Sequence, residues 1–82
     1  MQKFGIFGGT FNPIHNGHLI IAELAREYLH LDRIIFIPSA RPPHKTPETI
    51  IPFEHRAAMV RAAIAGNDRF VFSDMEQTQN LS

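Results

Sequence analysis

Apolar positions fall along the chain in three short runs and two longer periodic stretches, with polar punctuation between them. The first run, Phe4 to Phe7, predicts a buried strand over Gln2–Phe7 that ends at Gly8. From Gly17 to Leu31, the residues Leu19, Ile20, Ile21, Leu24, Ala25, Tyr28 and Leu29 recur at helical spacing and form a broad apolar stripe. Glu23, Arg26, Glu27 and His30 fill the opposite side, and Asn16 is the expected N-cap. Ile34-Ile35-Phe36-Ile37, closed by Pro38, is continuous, β-branched and aromatic, the pattern of a strand covered on both faces. A second amphipathic helix is predicted over Phe53–Ala65, with Phe53, Ala57, Val60 and Ile64 on one face. Pro52 suits its start and Gly66 its stop. Phe70 to Ser73 reads as a third strand.

A strand–helix–strand order implies a right-handed parallel crossover. The elements together read β-α-β-loop-α-β, half of a doubly wound α/β domain, with residues 1–82 the N-terminal part of one such domain. The stretch from Ser73 onward is polar and predicts no closing element, so the chain is expected to be a fragment. Ligands of such sheets bind beyond the carboxyl ends of the strands. Two connections leave those ends, Gly8–His18 and the loop Ser39–Pro52 with Arg41, His44 and Lys45 at its centre, so they are expected to share one crevice.

Charge and composition narrow the field. Eight Lys plus Arg balance eight Asp plus Glu, without the basic surplus of a non-specific nucleic-acid or anionic-membrane binder. There is no cysteine, hence no disulfide framework and no thiolate metal site. No signal peptide and no apolar run of about eighteen residues is seen, so a soluble cytoplasmic protein is expected.

The chemistry concentrates in Gly8-Gly9-Thr10-Phe11-Asn12-Pro13-Ile14-His15-Asn16-Gly17-His18, a turn between the first strand and the first helix. Backbone N–H groups and the positive end of a helix dipole meet there, where an anion is favoured. Gly8 and Gly9 lack the β-carbons that would block a phosphate, and they permit positive φ. His15 and His18 stand three residues apart at the mouth of the helix. The stretch is therefore read as holding a nucleotide triphosphate on which the histidines act. It is not a Walker A loop, since no lysine lies between Lys3 and Lys45. Nor is it a dinucleotide fingerprint, because the glycines are Gly5, Gly8 and Gly9 and no acidic residue closes the second strand.

Those residues resemble the ATP-binding signature of the nucleotidyltransferase superfamily, with Asn12 where Asp is common. Pro42-Pro43-His44-Lys45 and Phe53-Glu54-His55-Arg56 followed by Met59 are similar to segments of the bacterial nicotinate-nucleotide adenylyltransferases. The resemblance implies a Rossmann-like doubly wound parallel sheet. It implies transfer of the adenylyl group of ATP to nicotinate mononucleotide, giving deamido-NAD and pyrophosphate in NAD biosynthesis. A related transferase such as phosphopantetheine adenylyltransferase, or a non-catalytic nucleotide-binding fragment, is the alternative. The family's second phosphate-gripping signature has no match after Ser73.

On this reading His15 and His18 are catalytic, and Gly8, Gly9, Thr10 and Phe11 join them in binding ATP, the last three through backbone N–H groups. His44 and Lys45 serve a substrate phosphate, and Mg²⁺ arrives on the ATP phosphates without a protein cage. The partners are ATP and nicotinate mononucleotide, with no nucleic acid and no membrane, and self-association into a homo-oligomer stays open. Plainer readings stand beside these. His15 and His18 are spaced to ligate zinc, but further ligands are not evident at any known spacing. His30 and His55 are expected at the surface or as caps, Arg56 and Arg61 as helix-face charges, and Lys45 as a solvated charge if it binds nothing. Tyr28 and the phenylalanines are expected in the core, Phe11 in either place.

Overall fold

The computed structural model describes residues 1–40 and 50–79. The elements run β1 (Phe4–Gly9), α1 (Asn16–Tyr28), β2 (Arg33–Pro38), α2 (Phe53–Ile64), β3 (Phe70–Phe72) and α3 (Met75–Gln79). β1 starts at Phe4, two residues later than the strand expected from Gln2, and continues through both glycines, because Gly8 and Gly9 pair with Ile37 and Pro38. The strands form one parallel sheet in the order β1-β2-β3, with Phe4 beside Arg33 and Ile34 beside Phe70.

Two right-handed crossovers that step the same way across a sheet put both helices on one face. The core follows from that: Ile34, Phe36 and Phe70 from the sheet meet Ala22 of α1 and Val60 and Ile64 of α2, with Phe11 from the β1–α1 turn. The expected cover on both faces of β2 is therefore corrected. Ile34, Phe36 and Pro38 are buried on the helix side, whereas Ile35 and Ile37 are only partly covered. Phe4, Ile6 and Val71 are exposed on the other side. The α3 turn, which the polar C-terminal stretch did not predict, packs against β2. It is started by the Ser73 hydroxyl, which accepts from the Met75 N–H at 3.2 Å.

The broad stripe of α1 is only narrowly used. Ala22 is buried and Leu19 packs on the core, but Ile20, Ile21, Leu24 and Leu29 are exposed, and Tyr28, expected inside, is 84% exposed. Among the described residues β1 is an edge strand, so side chains on the outer flank of α1 have no described strand beneath them. α2 ends at Ile64 with Ala65 as C-cap, and no described glycine has a positive φ, so Gly66 does not make a left-handed stop. The Asn67 N–H donates to the Ile64 carbonyl at 3.0 Å instead. No helix among the described residues is long and apolar enough to cross a membrane.

Candidate functional site

The carboxyl ends of β1 and β2 lie side by side, and their exits are tied where Ser39 N–H donates to the Gly9 carbonyl at 2.7 Å. From Gly9 the chain turns back over the sheet. The turn is held by Phe11, whose ring is 3% exposed and packs edge-on against Phe7 at 5.4 Å and against His18 at 5.1 Å. Phe11 is thus core, and the positive φ that the glycines were expected to supply belongs to it, at 49°. A non-glycine residue holds that conformation only where its surroundings over-determine it, and a ring seated among Phe7, Phe36 and His18 does so. Gly8 and Gly9 contribute differently. Both are extended strand residues, and a β-carbon on Gly8 would meet nothing nearer than the Ile37 carbonyl at 3.8 Å. Gly8 faces the same side of the sheet as Phe4 and Ile6, away from the helices.

His15, not Asn16, is the N-cap of α1, a correction with a clear cause. The His15 Nδ1 accepts the Gly17 N–H at 3.0 Å, and the His18 Nδ1 accepts the His15 N–H at 3.0 Å. This is a reciprocal capping box in which two imidazoles take the places usual for Ser and Glu. The rings lie close together, centroids 4.0 Å apart and planes inclined at 37°. Gly17 is explained by the same packing: a β-carbon there would sit 2.8 Å from the His15 Cε1. Because each Nδ1 is an acceptor, the neutral rings carry their protons on Nε2. Each histidine therefore keeps one N–H donor that no described residue takes up.

Burial holds the His18 pKa below its ordinary 6.5, and the nearby His15 charge lowers it further. The folded chain thus binds this proton less readily than the unfolded chain does. The resulting penalty is absent above pH 6.5 and grows as the pH falls below it. Without ligand, the thermal midpoint is expected to drop between about pH 7.5 and about pH 5.5. His18→Gln keeps a capping acceptor and removes the titration, so circular dichroism melts should show a smaller drop for it. An equal drop in both proteins would rule out His18 as its source.

Arg56 is the residue that sequence reasoning misplaced. Expected on the helix surface, it is 1% exposed. Its Nε donates to the Ile51 carbonyl at 2.6 Å, and its Nη1 to the carbonyls of Thr10 at 2.8 Å and Ser39 at 2.7 Å. Burial lowers its pKa from the ordinary arginine value, yet a guanidinium stays charged. The signal was present, since Arg56, Val60 and Ile64 follow one another at i, i+4, i+8 along the buried face. Asn12 adds a second tie, its Oδ1 accepting the Ile51 N–H at 2.7 Å, a bond that the commoner aspartate would also accept.

Gly8, Gly9, Thr10, Phe11, His15 and His18 thus gather at one end of the sheet. Gly8 and His15 are exposed there, and His18 is half-buried. The expectations on His44 and Lys45 lie outside the described residues. Arg61 is exposed as expected and sits over the Phe72 ring at 4.8 Å. His30 and His55 are exposed.

The sequence profile of the cytidylyltransferase-like family matches residues 6–82. The chain belongs to that family. Among curated members, a protein of Geobacter sulfurreducens is 60% identical over 75 residues, which are 92% of this chain and 35% of that protein. One of Desulfotalea psychrophila is 53% identical over 77 residues, 94% of this chain and 36% of the relative. Both carry the name "Probable nicotinate-nucleotide adenylyltransferase". The chain spans about a third of the length of these relatives. Its fold matches that of the Plasmodium falciparum nicotinic acid mononucleotide adenylyltransferase, solved in complex with NaAD, with a TM-score of 0.74. That match is at 21% identity, over 93% of this chain and 38% of the other. For a cytidylyltransferase-like chain, the α/β architecture and the parallel three-stranded sheet are as the sequence led one to expect.

Proposed function

We propose that this chain forms the ATP-binding part of a nicotinate-nucleotide adenylyltransferase, which passes the adenylyl group of ATP to nicotinate mononucleotide and releases pyrophosphate. One observation carries the reading. At the open end of the sheet, two capping histidines each keep an Nε2–H donor beside the N-terminus of α1. The names of the relatives supply the substrates.

The attacking group is a phosphate and already an anion, so no general base is required. Positioning and neutralisation of charge on the α-phosphate carry the step. His18 donates to the α-phosphate and its transferring oxygen, and His15 to a neighbouring phosphate. The N–H groups of Thr10 and Phe11, which follow the last ladder residue of β1, are proposed to line the path. His44 and Lys45 are proposed to meet a phosphate of the second substrate. The donors named here are N–H groups, suited to phosphate oxygens and not to a hard cation, so Mg²⁺ would travel on ATP and spread its negative charge. The site would work in the cytoplasm, where these substrates are soluble.

The test is a chimaera in which this chain replaces the matching segment of the Geobacter sulfurreducens relative. Pyrophosphate release is followed with nicotinate mononucleotide, its amide and phosphopantetheine. The first is expected to be preferred over the third. A folded chimaera that prefers phosphopantetheine would move the chain to the sister branch, and one that turns over nothing would leave a nucleotide-binding piece.

A further inference from the structure

We infer that Arg56 is a positioning residue of the phosphate site: its guanidinium orients the Thr10–Phe11 peptide, and so the Phe11 N–H, for an incoming phosphate. The inference rests on the phosphate-binding reading above. Arg56 is buried to 1% exposure, yet among the described residues the partners its guanidinium binds are main-chain carbonyls and not a carboxylate. Burying a charge is costly unless hydrogen bonds compensate it. Here the compensation comes from three separate segments: the residue after β1, the residue after β2 and the lead-in to α2. A planar fork with fixed donor directions can hold three such carbonyls in one arrangement, which a compact ammonium cannot reproduce.

The peptide plane turns this clamp into a functional device. The carbonyl of Thr10 and the N–H of Phe11 belong to one planar trans unit and point in opposite directions. With Nη1 fixing the Thr10 oxygen at 2.8 Å, the Phe11 N–H is turned away from α2. The Phe11 φ of 49° and its buried ring fix the other side of the same plane. Nη1 also holds the Ser39 carbonyl at 2.7 Å, and Ser39 N–H in turn holds Gly9. One nitrogen therefore governs the exits of both neighbouring strands. Arg61, five residues along α2, is exposed over Phe72 and touches none of this, so it serves as the control.

The experiment follows ¹⁵N–¹H spectra of the full 82-residue chain during titration with inorganic tripolyphosphate. In the wild type, the Phe11 amide and the Arg56 Nε–H are expected to shift together with one Kd, while the Arg61 Nε–H stays still. Arg56→Lys keeps the charge, so electrostatics alone predicts no loss. The expected result is a Kd weaker by about tenfold, the worth of one charge-strengthened hydrogen bond, with a reduced Phe11 amide shift. Arg61→Gln is expected to bind as the wild type does. An Arg56→Lys protein that binds unchanged would reduce Arg56 to a packing role. Should that variant fail to fold, the wild-type spectra decide alone, and an Arg56 Nε–H that ignores the ligand would overturn the inference. A wild-type chain with no response anywhere near Gly8–His18 would instead bring down the phosphate-site reading and this inference with it.

Discussion

Phe36→Ala is expected to cost about 3–5 kcal/mol, most of what a domain of this size has to lose. Phe36 is fully buried at the centre of the aromatic cluster, 5.0 Å from the Phe70 ring, 5.4 Å from Phe7 and 5.9 Å from Phe11. Those rings come from β3, β1 and the β1–α1 turn, so no single element can settle into the cavity without disturbing the other two. The loss also reaches the site, because Phe11 leans on Phe36 and His18 leans on Phe11. Phe4→Ala is the comparison. It removes a ring of the same chemistry from the open side of β1, where it is 52% exposed, and should change stability by no more than about 0.5 kcal/mol. Urea denaturation of both variants checks the contrast, and comparable losses would mean that the core has been drawn around the wrong residues.

His18→Ala in the chimaera is expected to lower kcat by roughly 10²–10³, the range for deleting one preorganised donor to developing charge. Alanine removes two things at once, since Nδ1 of His18 also accepts the His15 N–H. His18→Glu separates them. Glutamate is a normal capping-box residue at this helix position and restores the acceptor. It supplies no donor and sets a negative charge against the phosphates. The Glu variant should therefore melt near the wild type and still lose at least as much activity as the Ala variant. Catalysis surviving in the stable Glu protein would show that the imidazole serves only to start the helix.

Much of this was legible from residue order. The apolar runs at Phe4–Phe7 and Ile34–Ile37 and the periodic stretches between them specify a parallel β-α-β-α-β order, because hydrophobic periodicity and crossover handedness are local rules. The glycine–histidine stretch was also legible as the turn between β1 and α1, and its reading as an anion site is the proposal made above. The flank of α1 was read less well. Periodicity records which residues could be buried, and only the edge position of β1 leaves Ile21, Leu24 and Tyr28 exposed.

By itself, then, the sequence determined the element order and the residues that gather at the carboxyl end of β1, where the site is proposed. The tertiary structure alone decided their employment. It made His15 the helix cap in place of Asn16, gave the left-handed backbone to Phe11 in place of a glycine, and drew Arg56 inward onto three carbonyls. The reason is that a hydrogen bond between residues 46 apart, such as Arg56 to Thr10, depends on how two strands and a helix come together. Strand and helix patterns repeat within a few neighbouring residues and hold no record of that meeting.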